Sequence, residues 1–387
     1  MYLPQNVTTC MAALNAAGYR VYAVGGCVRD ALLGLTPQDY DLCTDAAPAD
    51  IRRVFADYRQ VIAGEKHGTV GIVVDGDVIE ITTFRTEGGY DDNRHPGWVR
   101  FVPRVEEDLA RRDFTVNAMA YHPQEGYVDP FGGRGDLENR ILRAVGDPEK
   151  RFSEDALRIL RGARFSAKYR LTPEENTLSA MVQLRGRMES LARERVFEEL
   201  CKLLLVATAQ DLLRFAPVIT AVIPELEVQV GFDQRNPHHA FDLYTHTTHV
   251  TAGTPCDLAL RWAGLLHDTG KIPTFTLDEE GRGHFYGHAK DSAAIADSVL
   301  RRLKAPTALR EEVVQLCQLH MTLIPAEKKV VRRWLGKLGP EQFSKLLTFQ
   351  RADMSGKGIR EDGELEQLRD IEALIDEILA ERSEERR

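Results

Sequence analysis

The chain has 387 residues, 43% hydrophobic and 28% charged, which suits two to four compact domains rather than one. No apolar run approaches membrane-spanning length and MYLPQNVTTC lacks a basic-then-apolar leader, so membrane and secreted classes are set aside for a cytoplasmic one. A formal net charge of -9 argues against indiscriminate nucleic-acid binding, although Arg140 to Arg214 holds 15 Lys and Arg against 11 Asp and Glu.

In chain order, Pro4 to Ala16 predicts an opening helix. Short β-rich runs then alternate with helices: Arg20–Val24, Tyr40–Cys43, Gln60–Ala63, Thr69–Val74 and Val78–Phe84. Pro48 suits the first position of a helix over Ile51 to Phe55, and Asp75-Gly76-Asp77 between apolar runs predicts a hairpin turn. The expected fold is an α+β head with a small sheet and flanking helices over residues 1–140. From Ile141 strand signals fade, which predicts an all-α neck and body over 141–236 and a second helical domain over 237–387. The six cysteines (Cys10, Cys27, Cys43, Cys201, Cys256, Cys317) are scattered without CxxC spacing and read as buried, reduced thiols. The tail from Ala373 is highly charged and is expected to fray.

Chemistry concentrates first in Ala23 to Asp45. An apolar strand breaks at Gly25-Gly26, where bare backbone N–H groups at a helix start can approach a phosphate. Asp39 and Asp41, two apart on a strand, share a face and can hold divalent ions. Either piece alone is commonplace; the ordered combination is rare. Gly25-Gly26-Cys27-Val28-Arg29-Asp30 followed by Asp39-Tyr40-Asp41 resembles the first motif of the class II nucleotidyltransferases. That family holds the tRNA nucleotidyltransferases (CCA-adding enzymes) and the bacterial poly(A) polymerases. The resemblance implies a polymerase-β-like catalytic head with two Mg²⁺ on Asp39 and Asp41, and phosphate contacts from Gly25, Gly26 and Arg29. Glu80, in the run Val78 to Thr82, is either a third carboxylate of that site or an outward, solvated residue.

Phe84 to Phe101, FRTEGGYDDNRHPGWVRF, has no clear periodicity and reads as a flexible loop. Its form FRxExxYxDxRHP resembles the family loop tied to switching from C to A addition, with Arg94 as its first candidate. Leu109 to Tyr121 resembles the motif RRDFTxNA. By that likeness Arg111 and Arg112 contact phosphate or sugar. Asp113 and Asn117, on one face if the run is helical, can bond a ribose hydroxyl. Asp129-Pro130-Phe131-Gly132-Gly133 predicts a turn into a helix.

Glu154 to Phe165 predicts a helix with Asp155, Arg158 and Arg161 along one face, followed by Arg164, and Leu157, Ile159 and Leu160 toward the core. A carboxylate beside a guanidinium can accept from the exocyclic amino group and donate to the ring nitrogen of cytosine or adenine. Guanine and uracil would leave mismatched polar groups, at about 1–3 kcal/mol apiece. EDxxR has this base-choosing role in the resembled family and matches at Glu154, Asp155 and Arg158, while Arg161 and Arg164 could reach a triphosphate. An ordinary i,i+3 surface ion pair is the commoner meaning of D-x-x-R. Arg193 to Leu200 resembles the family's last motif and reads as structural.

Beyond Pro237 a separate His246, the adjacent His267-Asp268 within LLHDTGK, and a distant Asp353 resemble the metal set of HD-type phosphohydrolases. Imidazoles and carboxylates suit a divalent transition metal or Mg²⁺. His249 competes more weakly with His246, and His284, His288 and His320 are weighed as second-site ligands but not counted, since a lone helical histidine is usually just packed.

The expected activity is template-independent addition of C, C and A to a tRNA 3′ end from CTP and ATP, on a monomer or homodimer. The nearest alternative is a poly(A) polymerase, which would carry an LxGRRF-like run where this chain has Ala63-Gly64-Glu65-Lys66-His67-Gly68-Thr69-Val70. The other makes an HD phosphatase or cyclic phosphodiesterase the main activity.

Overall fold

In a computed structural model that describes residues 1–89, 97–358 and 362–384, the chain forms two compact units, Met1–Leu191 and Ala192–Arg387. This division falls inside the predicted neck.

The first unit opens with α1 (Gln5–Ala16), β1 (Val21–Val24), α2 (Gly26–Leu32), β2 (Asp41–Thr44), α3 (Pro48–Val54), β3 (Gln60–Val61), β4 (Thr69–Val74) and β5 (Asp77–Thr83). A ribbon of β6 (Arg85–Gly88) and β7 (Trp98–Phe101) follows, then α4 (Val105–Ala110), β8 (Ala120–His122), β9 (Gly126–Val128) and α5 (Gly133–Glu138). Seven strands form one sheet in the order β3-β4-β5-β2-β1-β8-β9. It is mixed: β2 runs parallel to β5 but antiparallel to β1. The interior strand β1 is buried at all four positions, as a strand covered on both faces requires. Tyr22, Val24, Cys43, Phe84, Leu109 and Ala120 close one core around it.

The small mixed sheet with flanking helices is the expected head. Asp75 and Gly76, at φ 53° and 92°, make the predicted hairpin turn, a double left-handed geometry that Gly and Asp tolerate best. Two expectations change. The run read as a loop has paired ends: Arg85↔Phe101 through Gly88↔Trp98 form an antiparallel ladder. The Trp98 ring lies where a side chain on Gly88 would stand. The RRDFT run is also not one helix; α4 stops at Ala110, Thr115–Asn117 is a single 3-10 turn, and β8 follows.

The unit ends with β10 (Ile141–Leu142), α6 (Pro148–Glu154), α7 (Leu157–Tyr169), β11 (Thr172–Pro173) and α8 (Glu175–Gln183). Asp155, expected inside a continuous helix, is instead extended (φ −140°, ψ 104°) and separates α6 from α7. Its carboxylate accepts from the Leu157 N–H at 2.9 Å, and this capping preference of Asp competes with helix continuation. Leu157, Ile159 and Leu160 face the core as expected.

The second unit is helical: α9 (Arg193–Leu204), α10 (Ala209–Arg214), α11 (Ala216–Val222), α12 (Leu243–Gly253), α13 (Leu258–Leu266) and the short α14 (Lys271–Thr274). After the two-residue strands β12 (Thr276–Leu277) and β13 (Gly283–His284) come α15 (His288–Arg302), α16 (Thr307–Leu319), α17 (Lys328–Leu338), α18 (Pro340–Gly356) and α19 (Asp362–Glu384). Asp242 and Asp257 cap α12 and α13 by accepting from first-turn N–H groups. Trp262 on α13 is fully buried, stacked on Phe197 at 5.6 Å between ring centroids. Five of the six cysteines are buried and Cys256 is exposed, contrary to the expectation for all six. Among the described residues no helix is long and apolar enough to cross a membrane.

Candidate active site in the head and candidate metal centre in the helical unit

In the head, β1 delivers the chain into Gly25, whose φ of 75° and ψ of −122° are open to glycine almost alone. A side chain there would stand 2.7 Å from Arg112 Nη1. The Arg112 guanidinium thus lies against the bare turn, its Nε buried without a hydrogen bond and Nη2 3.5 Å from Asp108. Val24 pairs with Asp41 across the β1–β2 ladder, so the carboxylates begin one strand away. Asp39 just precedes β2, which starts at Asp41. Burial pushes the Asp41 carboxyl up, Arg112 opposes, and Glu80 and Asp39 push it further. Three carboxylates therefore share one field, with Arg112 as the opposing charge.

Arg29 behaves differently from its expected phosphate contact. Its side chain is buried and donates to Asn117 Oδ1 at 2.5 Å, Asp30 Oδ1 at 2.7 and 2.8 Å, and the Tyr169 hydroxyl at 2.5 Å. Its guanidinium carbon also lies 4.1 Å from the Tyr169 ring centroid. Arg29 is a strut between α2, the 3-10 turn and α7. Asp113 and Asn117 meet although the run is not one helix, Asn117 Nδ2 donating to Asp113 at 3.0 Å. Arg161 Nη2 donates to the other Asp113 oxygen at 2.7 Å. Burial would raise the Asp113 carboxyl, but Arg161, Asn117 and Arg158 together hold it well below the usual carboxylate range.

Arg158 is buried and its carboxylate partner is Glu154, at 2.9 Å, with further bonds to the carbonyls of Arg151 and Arg111. The ordinary i,i+3 ion pair of a D-x-x-R run is thus not the one Arg158 makes; its ion pair is with Glu154. Arg164 stacks over Phe165, 4.3 Å from the ring centroid. Arg111 pairs with Asp108 at 2.8 Å. Arg94 lies outside the described residues.

In the helical unit, His246 on α12, His267 and Asp268 at the end of α13, and Asp353 on α18 converge. His246 Nε2 stands 3.3 Å from His267 Nε2, 3.3 Å from Asp268 Oδ2 and 3.1 Å from Asp353 Oδ1. His267 Nε2 stands 3.1 and 3.5 Å from the same two oxygens. Both imidazoles donate Nδ1–H to backbone carbonyls, of Gly356 at 3.1 Å and Gly264 at 2.9 Å, which turns their Nε2 lone pairs inward. Glycines set the helix spacing: a side chain on Gly264 would stand 2.7 Å from the Thr251 Cα, and one on Gly356 2.6 Å from a Val250 methyl. Burial would raise the Asp268 and Asp353 carboxyls, but the facing imidazoles, and Lys271 on Asp268, hold both well below the usual range. His249 faces outward and stacks on Phe241, so His246 is the residue brought to the cluster. His284 pairs with Asp278 at the surface.

Residues 21–143 match the Poly A polymerase head domain. The head is similar to that family over those residues. Residues 170–229 match the probable RNA- and SrmB-binding site of polymerase A, and 248–372 the HD domain. A CCA-adding enzyme of Limosilactobacillus fermentum is 47% identical over 201 residues, 52% of this chain and 50% of the relative, and one of Streptococcus gordonii matches to the same extent. The chain spans about half the length of the curated relatives it matches. Among solved structures, the Bacillus stearothermophilus CCA-adding enzyme in complex with CTP is similar with a TM-score of 0.67 and 28% identity, over 96% of this chain and 83% of that one. The Thermotoga maritima CCA-adding enzyme complexed with tRNA shares the fold at a TM-score of 0.59 and 20% identity, over 98% and 83%.

Sequence reasoning left four residues of these sites uncounted. Lys271 lies 2.9 Å from Asp268 Oδ2 and 2.9 Å from Gln234 Oε1, and only its place three after Asp268 marks it. His288 and His320, weighed but not counted, also reach Asp268. Tyr169 had no local signal at all.

Proposed function

We propose that the head adds C, C and A to the 3′ end of a tRNA from CTP and ATP, without a nucleic-acid template and with release of pyrophosphate. The observation that carries this reading is the glycine turn at Gly25 and Gly26 facing Arg112, one strand from Asp39 and Asp41. The CTP complex of the similar Bacillus enzyme supports it, as does the Ala63 to Val70 run, which favours CCA addition over poly(A) synthesis.

The concentration of Asp39, Asp41 and Glu80 in one partly buried field, with only Arg112 opposing, fits divalent cations. Two Mg²⁺ bound there would favour the alkoxide of the RNA 3′-hydroxyl and neutralise the triphosphate. Gly25 and Gly26 let phosphate oxygens reach backbone N–H groups at the start of α2. Arg112 faces the same turn and offsets negative charge there. Arg29, engaged by Asn117, Asp30 and Tyr169, positions α2 rather than binding the nucleotide itself. Asp113 and Asn117 form the wall on which a ribose would rest, with Arg161 fixing Asp113, and Arg164 stands nearby on α7.

Base choice is assigned to Asp155 and Arg158. Glu154 and two carbonyls hold the Arg158 guanidinium at a fixed angle, so its remaining donor capacity is pre-aimed, and Asp155 adds the acceptor. The functional division read from the sequence, 1–140, 141–236 and 237–387, follows these roles. Free thiols throughout suit a reducing, cytoplasmic compartment.

A second reading concerns the HD site. Two imidazole nitrogens 3.3 Å apart, each 3.1–3.5 Å from an oxygen of Asp268 and of Asp353 and aimed by second hydrogen bonds, fit one divalent transition ion held by His246, His267, Asp268 and Asp353. Such an ion would supply an activated water for phosphoester hydrolysis.

The deciding experiment incubates purified protein with Mg²⁺ and a tRNA lacking its terminal CCA, resolving products at single-nucleotide length. Two additions with CTP, a third only when ATP joins, and then arrest are expected. A long ladder with ATP alone would make the head a poly(A) polymerase. No extension, with metal-dependent phosphate release, would move the main activity to the HD site.

A further inference from the structure

We infer that Asp108, which lies outside the nucleotide motifs, is the positioning residue for Arg112: its buried carboxylate sets that guanidinium against the glycine turn to meet the nucleotide's phosphates, and through Arg111 it steadies Arg158. This deepens the reading of the head as a nucleotidyltransferase and rests on it.

Asp108 stands in the last turn of α4 with no exposed surface. Its two oxygens are used unequally. Oδ1 accepts from Arg111 Nε at 3.0 Å, from Arg111 Nη2 at 2.8 Å and from the Arg85 backbone N–H at 3.2 Å. Oδ2 is buried without a hydrogen bond and faces Arg112 Nη2 at 3.5 Å. Arg111 and Arg112 follow Asp108 by three and four residues, so one carboxylate answers both guanidiniums. A carboxylate kept in the interior for stability alone closes both of its oxygens with hydrogen bonds. Here one oxygen acts on Arg112 by charge, across a gap too long for a charge-assisted hydrogen bond.

Arg112 shows the other half of the arrangement. Its Nε is buried and donates to nothing, and Nη1 occupies the space that Gly25 leaves by having no side chain. The guanidinium is placed but not consumed. A bidentate clamp would take the paired N–H edge that phosphate oxygens need. Without Asp108 behind it, Arg112 would stand beside the like charge of Arg111 and be drawn toward Asp41, whose field it already feels.

Arg111 carries the influence of the same carboxylate further. Its Nη1 lies 3.5 Å from Glu87 Oε2 on β6, and its backbone carbonyl accepts from Arg158 Nη2 at 3.0 Å. Asp108 thus fixes the residue whose peptide orients Arg158, the guanidinium assigned to base choice. A phosphate contact and a base contact both hang from one buried charge.

The test uses the full-length protein with Mg²⁺, measuring CTP binding by calorimetry and nucleotide addition to a tRNA lacking CCA. The variants are Asp108→Asn, Arg112→Gln and the two combined, with folding followed by circular dichroism. Asp108→Asn should weaken CTP binding about tenfold, the scale of one hydrogen bond to a charged group. Arg112→Gln should weaken it at least as much, and adding Asp108→Asn to Arg112→Gln should change it by less than about twofold. Losses that multiply in the combined variant, or unchanged CTP binding in Asp108→Asn, would overturn the proposal, because a merely structural carboxylate weakens binding whether or not Arg112 is present. Asp108→Asn should also use UTP more readily relative to CTP, and an unchanged ratio would overturn the link to Arg158. If Asp108→Asn does not fold, Asp108→Glu, which keeps the charge and displaces it by one methylene, takes its place in the same cycle. Parent protein that binds CTP but extends no tRNA would defeat the CCA-adding reading while the binding cycle still decides the role of Asp108. Parent protein that binds no CTP would overturn both.

Discussion

Arg161 brings Nε and Nη2 to the same oxygen of Asp113, at 2.9 and 2.7 Å, while the other oxygen accepts from Asn117 and from the Phe114 N–H. Because Asn117 in turn accepts from Arg29, one polar chain runs from α7 through the 3-10 turn to α2. The folded-state carboxyl of Asp113 is depressed, so its contribution to stability is complete above the ordinary carboxylate value of about 3.9 and is lost as pH falls below it. Melting temperature against pH should therefore fall less steeply below about pH 4 in Asp113→Asn than in the parent. The variant should itself cost about 1–3 kcal/mol, discounted because Arg161 is one-third exposed. Equal slopes would show that Asp113 is not the titrating group.

Gly25→Ala tests the turn. The substituted side chain meets Arg112 Nη1 at 2.7 Å and a backbone angle suited to glycine, at about 1–3 kcal/mol of strain. CTP affinity measured by calorimetry should drop together with the melting temperature. Unchanged CTP affinity would remove the turn from the nucleotide site.

Asp41→Asn and Asp39→Ala should each abolish nucleotide transfer to a tRNA lacking CCA while leaving CTP binding measurable, because the charge that would hold Mg²⁺ is lost but the turn remains. Transfer within tenfold of the parent would defeat the assignment. Asp155→Ala should instead relax the preference for CTP and ATP over UTP and GTP more than it slows addition.

Gly264→Ala tests how the HD ligands are spaced. A methyl 2.7 Å from the Thr251 Cα must push α13 from α12, at about 1–3 kcal/mol, parting His267 from His246 and lowering divalent-metal affinity at least tenfold. Gly336→Ala in α17, where a side chain meets nothing within 4 Å, should stabilise by about 0.5–1 kcal/mol and leave metal binding unchanged. Comparable metal loss in both would point to a general effect of substitution.

Much of the head was legible because period-two burial and turn residues are local signals: β4, the Asp75-Gly76 turn and β5 stand where the apolar alternation puts them. Asp155 was misplaced because Glu154 to Phe165 reads as helical at every position, and only the cap to Leu157 decides the break. Arg29 was assigned to phosphate since neither Tyr169 nor Asn117 is near it in sequence; folding supplies the partners that bury and engage it. His288 and His320 were weighed but not counted for the same reason: 20 and 52 residues past Asp268, at no helical spacing from it, they are brought to its carboxylate only when α15 and α16 close on α13.

The distribution of thiols offers a way to watch the two units separately. Under native conditions a bulky maleimide should modify Cys256 alone, since the other five are covered and burial pushes the Cys10, Cys27 and Cys201 thiols up to about 11. Labelling of Cys10, Cys27 and Cys43 then clocks transient opening of the first unit, and labelling of Cys201 and Cys317 that of the second. Cys27 follows Gly26 directly and sits in the field of Asp41. Its rate of capture, with and without CTP, reads the breathing of the glycine turn from inside the fold.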